Sequence, residues 1–226
     1  MGALTRDSVA AVVTCHDELP AEGLLERLAA EVPRVTVVLD GMPPEPARAL
    51  QGAADRIGAD LLEMEPRAGK GHAIASAIRS LSARPSPEAV VFVDSDGQHP
   101  PEAIPEFLAA ASTAELVIGD RFAGGGEVPV VRRAANRLAS RLVGITSGIS
   151  VPDSQCGMRL LRGRALSEVG FPGGRMESET RHLKRCLRAG VPVTWVPIPA
   201  IYDGAPSSFR PIRDSVAVLA AAVKAD

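Results

Sequence analysis

Asp94 and Asp96 stand two residues apart after Ala89-Val90-Val91-Phe92-Val93, a run whose β-branched content reads as a buried strand. Two carboxylates at that spacing, at a strand's C-terminal end, can share one hard divalent cation. Magnesium or manganese takes oxygen ligands and keeps waters or substrate phosphates in its remaining positions. Gly97 lets the chain turn sharply, and Pro100-Pro101 suit the first turn of a helix. The segment Asp94-Ser95-Asp96-Gly97-Gln98-His99-Pro100-Pro101 therefore predicts an ion and a nucleotide diphosphate held at the edge of an α/β sheet. The plainer alternative is an acidic turn that caps the next helix.

Three further places carry side chains suited to a phosphorylated ligand. Gly69-Lys70-Gly71-His72 is a glycine-flanked lysine opening a helix, where backbone N–H groups and an ammonium suit an anion. The spacing is not that of a Walker A loop, and a plain glycine turn is the alternative. Asp40 follows Val35-Thr36-Val37-Val38-Leu39 and can accept hydrogen bonds from a base or ribose, or form a turn before Gly41. Arg132, Arg133, Arg137 and Arg141 form a basic series that either grips phosphate or is a solvated helix face. His16, His72, His99 and His182 are not at metal-ligand spacing.

These residues need a scaffold. Apolar runs predict strands over 9–13, 35–39, 61–64, 89–93, 115–118 and 193–196. Helical patterns cover 24–30, 47–57, 73–81, a stretch after the Pro pair to about 111, 132–143, 178–189 and 216–224. Strands alternating with helices at these spacings predict an α/β fold with a mostly parallel central sheet. Ligands of open α/β sheets bind beyond the carboxyl ends of the strands. That rule gathers 14–18, Asp40, Asp94 with Asp96, and 119–121 at one edge.

Composition narrows the classes. The chain has 226 residues, enough for a substantial core in one domain, and its 46% apolar content includes only 3% aromatics. A net charge of −2 with both signs scattered, and no aromatic platform, argues against a nucleic-acid binder. Cys15, Cys156 and Cys186 are widely spaced, so a disulfide framework is not expected and a reducing, cytoplasmic setting is. No secretory leader is evident, and the late apolar run 216–223 is too short to span a bilayer. Ala- and Val-rich helix faces leave a homodimer open.

Taken in order, the segments resemble the family 2 glycosyltransferases of the dolichol-phosphate or polyprenyl-phosphate sugar synthase type. The matching pieces are Thr14-Cys15-His16-Asp17-Glu18, Gly69-Lys70-Gly71, the 94–101 segment, Gly119-Asp120-Arg121-Phe122 and Asp153-Ser154-Gln155-Cys156-Gly157-Met158-Arg159. The tail, Ile201-Tyr202 with Ser207-Ser208-Phe209-Arg210-Pro211-Ile212-Arg213-Asp214, is similar too, so the resemblance covers roughly 8–215. It implies a GT-A fold in one domain, with a nucleotide-sugar half over about 8–120 and an acceptor half over about 121–215. It also implies inverting transfer from a nucleotide diphosphate sugar, GDP-mannose or a UDP-sugar, to an acceptor, foremost a polyprenyl phosphate met at the inner membrane face.

In that reading Asp94 and Asp96 hold Mg2+ or Mn2+ and the donor diphosphate, with Gln98 beside them. Thr14, His16, Glu18 and Asp40 surround the nucleoside, and Lys70 faces an anion. Arg121, Arg132, Arg133 and Asn136 grip the acceptor phosphate, while Arg210 and Arg213 close over the pyrophosphate. Asp153 and Gln155 line the sugar and acceptor side, and Asp153 is the candidate base for a hydroxyl acceptor. Two departures stand out. Leu39-Asp40-Gly41-Met42 keeps one acid where the family usually has two, and Arg181 replaces a second acid after Glu179, which leaves Glu179 as the candidate partner for the sugar side or the arginine network. A soluble hydroxyl acceptor, a nucleotidyltransferase and a non-catalytic nucleotide-sugar-binding module remain as other readings.

Overall fold

The computed structural model describes residues 2–83, 85–126, 128–201 and 211–223, without the side chains of 131 and 211–215. Seven strands form one sheet: β1 Val9–Cys15, β2 Arg34–Asp40, β3 Asp60–Met64, β4 Ala89–Asp94, β5 Leu116–Asp120, β6 Arg159–Arg162 and β7 Val193–Pro197, in the order β3-β2-β1-β4-β6-β5-β7. All pairings are parallel except those of β6, which runs against both β4 and β5. Val9 to Val13, Val90 to Val93 and Leu116 to Ile118 are buried without alternation. Such continuous apolar strands are what a parallel sheet covered on both faces requires.

Among the described residues eight α-helices flank the sheet: α1 Leu24–Glu31, α2 Pro44–Ile57, α3 Lys70–Ser82, α4 Ile104–Ala110, α5 Val130–Ser147, α6 Gly163–Ser167, α7 Ser178–Arg188 and α8 Pro211–Val223. One contiguous apolar core runs from Val9 on β1 to Ala222 on α8 and takes in residues of both halves of the chain. Helix α5 packs against α8 and α7.

The expected strands and helices are present with shifted ends. Strand β5 runs to Asp120, past the expected 118; α3 starts at Lys70, before 73; and α5 spans Val130–Ser147, longer than 132–143. Strand β6 and helix α6 were not expected. Arg159-Leu160-Leu161-Arg162 is four residues bounded by arginines, and its hydropathy hides the strand because Arg159 is itself buried, at 1% exposure.

Candidate active site

The parallel strands deliver their C-terminal residues to a common edge. Thr14 on β1 is in register with Asp94 on β4, and Asp40 and Asp120 end β2 and β5. Because β6 runs the other way, its first residue, Arg159, pairs with Phe92 and Ile118 at that edge. The preceding loop, with Asp153, Gln155 and Gly157, is thereby brought to the edge as well.

Lys70 joins two parts of the site that are distant in sequence. Its Nζ lies 2.6 Å from Asp94 Oδ1 and 2.5 Å from Glu179 Oε1, the latter on α7. The side chains of Lys70 and Glu179 are 16% and 5% exposed, and that of Asp94 is 26% exposed. Burial alone would push the lysine down, but Asp94 and Glu179 outweigh it and raise its pKa. Burial likewise works to raise Asp94, yet the positive charges around it, Lys70 foremost, hold its carboxyl at about 2.

The start of α3 is fixed by close packing. A Cβ on Gly71 would overlap the carbonyl of Pro172 and come 2.8 Å from Ser178 Cβ, and Gly69 has φ +99°. The Gly71 N–H donates to Gly174 O at 2.9 Å, and Gly174 N–H to His72 Nδ1 at 3.2 Å. So these glycines admit the 172–178 segment against the helix start, which is more than a plain turn asks. Asp40 completes the support. It is 3% exposed, and its two oxygens accept the N–H groups of Ala68 at 2.6 Å and Gly69 at 2.8 Å. Its carboxylate fixes the loop that presents Lys70.

On the other side of Asp94, a Cβ on Gly157 would overlap its carboxylate. His99 Nδ1 stands 3.7 Å from Asp94 Oδ2; the ring is 2% exposed and neither nitrogen has a hydrogen-bond partner among the described residues. Burial pushes His99 toward the neutral form against the pull of Asp94 and Asp96. Asp96 and Gln98 are half-buried, and Asp96 Oδ1 accepts the Gln98 N–H at 3.0 Å, an Asx-type turn. Among the described residues no three His, Cys, Asp or Glu side chains gather as an ion cage. Two aspartates offer hard oxygen donors only. That set fits magnesium or manganese with diphosphate oxygens completing the shell.

Arg121 and Asp153 form the second half of the site. Arg121 Nε donates to Asp153 Oδ2 at 2.7 Å and Nη2 to Oδ1 at 3.0 Å; the carboxylate has no exposed surface. Asp153 Oδ1 also accepts the Gln155 N–H, and its carbonyl accepts Trp195 Nε1–H at 3.0 Å. The candidate base is thus enclosed in this structure, with both carboxylate oxygens on Arg121. Gln155 Nε2 donates to Thr180 on α7 at 2.6 Å. Below them Arg159, wholly buried, donates to the carbonyls of Ser154, Cys156 and Glu179 at 2.7, 2.8 and 2.9 Å. It ties the 153–158 loop to the start of α7.

The other expected residues spread around this centre. Thr14 and His16 are half-buried at the end of β1, and Glu18 is exposed. Burial, then Arg67, lowers the pKa of His16. Arg132, Arg133 and Asn136 lie half-buried in the first turns of α5. Val130 at the helix start, Leu138 and Ile145 along it and Ile149 just past its end are exposed, Val130 at 80%, and Arg137 sits 5.5 Å over the Phe122 ring. An open groove of about 560 Å³ follows this face, lined by Arg137, Arg141, Ile145, Ile149 and Val151. Arg210 and the side chain of Arg213 lie outside the described residues.

The departures have physical reasons. Leu39 and Met42 are 2% and 6% exposed and belong to the apolar core, where an acid would be unpaired. Arg181 Nη1 donates to Gly173 O at 3.2 Å, bracing the segment that meets α3. Sequence reasoning missed Arg159, His99 and Arg175 as working parts. Arg175 Nε is buried with no hydrogen-bond partner among the described residues, its Cγ lies 3.5 Å from where a Gly69 Cβ would be, and its charge acts on His16.

The profile of glycosyl transferase family 2 matches residues 10–170. The undecaprenyl-phosphate mannosyltransferase of Micrococcus luteus is 34% identical over 85 residues, 36% of this chain and 35% of that protein. The undecaprenyl-phosphate 4-deoxy-4-formamido-L-arabinose transferase of Enterobacter sp. strain 638 is 28% identical over 130 residues, 57% of this chain and 38% of that one. The chain thus spans well under half the length of these relatives. Among solved structures, glucosyl-3-phosphoglycerate synthase of Mycobacterium tuberculosis, in complex with Mn2+, UDP and glucosyl-3-phosphoglycerate, superposes with a TM-score of 0.70 at 20% identity, covering 94% of this chain and 77% of that one. S. aureus TarS superposes with a TM-score of 0.57 at 16% identity, over 85% of this chain and 35% of that one. The architecture is the GT-A fold. Among the described residues no helix is long and apolar enough to cross a membrane.

Proposed function

The chain belongs to glycosyl transferase family 2 and is a glycosyltransferase, and from that premise we propose that it moves a sugar from a nucleotide diphosphate donor onto a polyprenyl phosphate. Asp94 and Asp96 hold Mg2+ or Mn2+ together with the donor diphosphate, with Lys70 beside them. A divalent ion there neutralises charge growing on the departing nucleoside diphosphate. Arg121, oriented by Asp153, and the Arg132 and Arg133 turn of α5 receive the acceptor phosphate.

The observation that carries this reading is the commitment of the carboxylates. Asp153 is sealed against Arg121, Asp40 against two backbone N–H groups and Glu179 against Lys70, while Asp94 and Asp96 are given to the divalent ion. A hydroxyl acceptor needs a base to take its proton; a phosphate oxygen is already anionic and does not. The exposed apolar residues of α5, beside Arg137 and Arg141, suit an acceptor with a charged head and a hydrocarbon tail, met at a membrane surface. The two curated relatives carry undecaprenyl-phosphate in their names, which supports the same class.

The test is transfer of radiolabel from GDP-mannose and a set of UDP-sugars to undecaprenyl phosphate, with undecaprenol and a soluble sugar as parallel acceptors. Label in the lipid phosphate with release of the nucleoside diphosphate is expected. Label passing to the alcohol or the soluble sugar instead would overturn the acceptor assignment.

A further inference from the structure

We propose that Lys70 is a tethered counter-cation that occupies Asp94 until donor and divalent ion arrive together, so that it couples the binding of the two. The proposal rests on the reading of Asp94 and Asp96 as the carboxylates that hold the ion. Its basis is the enclosure of Asp94. Lys70 Nζ takes Oδ1 at 2.6 Å, the Gly157 backbone packs directly on the carboxylate, and His99 faces Oδ2 at 3.7 Å. The ammonium is held in place by a second carboxylate, Glu179, at 2.5 Å. The helix start that carries it has no slack, since Gly71 is packed against Pro172 and Ser178 and the preceding loop is held by Asp40.

An ion entering this site alone meets a fixed positive charge bonded to the carboxylate it needs. The two aspartates also offer it too few ligands for a cage of its own. A diphosphate changes both terms. It brings oxygens for the ion, and it gives the ammonium an alternative anion within reach of its four-carbon stem. Glu179 remains as the second tether, so Lys70 turns from Asp94 to the diphosphate without entering solvent. Ion and donor then bind with positive coupling, each tightening the other by the same factor.

The experiment is Mn2+ titration of the whole purified chain, followed by the electron paramagnetic resonance of free Mn2+, with and without GDP or UDP. In the native protein the fitting nucleotide should tighten Mn2+ by at least ~10-fold, about 1.4 kcal/mol. Lys70→Met should bind Mn2+ alone at least ~10-fold tighter than the native protein and gain less from nucleotide, keeping only the share that the diphosphate oxygens contribute to the ion's shell. Its melting temperature should fall in EDTA and recover on adding Mn2+, a recovery the native protein does not show. Lys70→Gln, which keeps a hydrogen bond to Asp94 without the charge, takes its place should the Met variant not fold. A neutral variant with native Mn2+ affinity and a native nucleotide gain would overturn the coupling. Native protein that binds no Mn2+ with either nucleotide would instead overturn the ion site itself.

Discussion

Arg121 and Asp153 meet through two parallel hydrogen bonds, at 2.7 and 3.0 Å, with the carboxylate fully enclosed and the arginine side chain 9% exposed. The pair joins the end of β5 to the loop entering β6, so the antiparallel strand that breaks the sheet's direction also brings the two together. A lysine cannot reproduce a two-pronged contact, because its ammonium is a point charge without the planar fork. Arg121→Lys should therefore keep the fold and lose acceptor turnover by ~100-fold or more, while donor binding changes little. Steady-state kinetics with the lipid phosphate varied, beside isothermal titration of the nucleotide, separates the two effects. Asp153→Asn should cost stability as well, up to roughly 3 kcal/mol in urea denaturation, because it removes the buried carboxylate that takes two of the guanidinium's hydrogen bonds.

Asp40 invites a sharper test, because a donor contact and a loop support make opposite forecasts for the empty protein. An asparagine keeps the shape but can accept only one of the two N–H groups, from Ala68 and Gly69, that the carboxylate accepts now. Leaving one buried donor unmet costs about 1–3 kcal/mol. Asp40→Asn should thus lower the melting temperature with no ligand present, and weaken the donor through a misplaced Lys70. An unchanged melting temperature with a weakened nucleotide would assign Asp40 to the base or ribose instead.

Acid sensitivity follows from a buried histidine well away from the aspartates. His182 on α7 is fully buried, stacked on Phe171 with ring centroids 4.6 Å apart, and burial lowers its pKa to about 3. A histidine whose folded pKa lies below its unfolded value stays neutral when folded while the unfolded chain takes up a proton. Stability is therefore intact above about 6.5 and falls as pH drops toward 3, by at most about 1.4 kcal/mol per pH unit for one such group. Asp94, held at about 2, adds its own loss only below the ordinary carboxylate range near 3.8. His182→Phe should flatten the denaturation free energy between pH 6 and 4 relative to the native chain, a window chosen to lie above the contribution of Asp94. A slope identical to the native one would remove His182 as its source.

Much of this was legible in sequence, and the reasons for the remainder are local. Strands β1, β2 and β4 read clearly because a parallel strand covered on both faces is an apolar run. Asp94 and Lys70 stood out as a strand-end carboxylate and a glycine-flanked lysine, and the fold brings the two within 2.6 Å. Strand β6 was not, since its first residue is an arginine whose charge is met by three backbone carbonyls from distant segments. Nor could sequence assign Asp153 to Arg121 or Glu179 to Lys70, because each pair closes only when separate elements reach the same sheet edge. Asp40 had the right place and, in the empty protein, a partner of another kind: the backbone of the next loop.

Arg175 shows how a residue with no motif can still carry a forecast. Its Nε is buried beside Gly69 with no hydrogen-bond partner among the described residues, and its charge is close enough to act on His16 at the end of β1. A buried N–H left this way is an unmet donor that a ligand's acceptor oxygen can satisfy. Arg175→Met keeps the apolar stem and removes the unmet donor. It should leave the melting temperature of the empty protein unchanged or raise it by a degree or two, while weakening nucleoside diphosphate by about 10-fold. A charge lost from an internal network would do the reverse, lowering stability in the empty protein and sparing the nucleotide. Differential scanning fluorimetry of native and variant chains across a GDP and UDP titration reads both quantities in one experiment. Unaltered nucleotide affinity would take Arg175 out of the donor site.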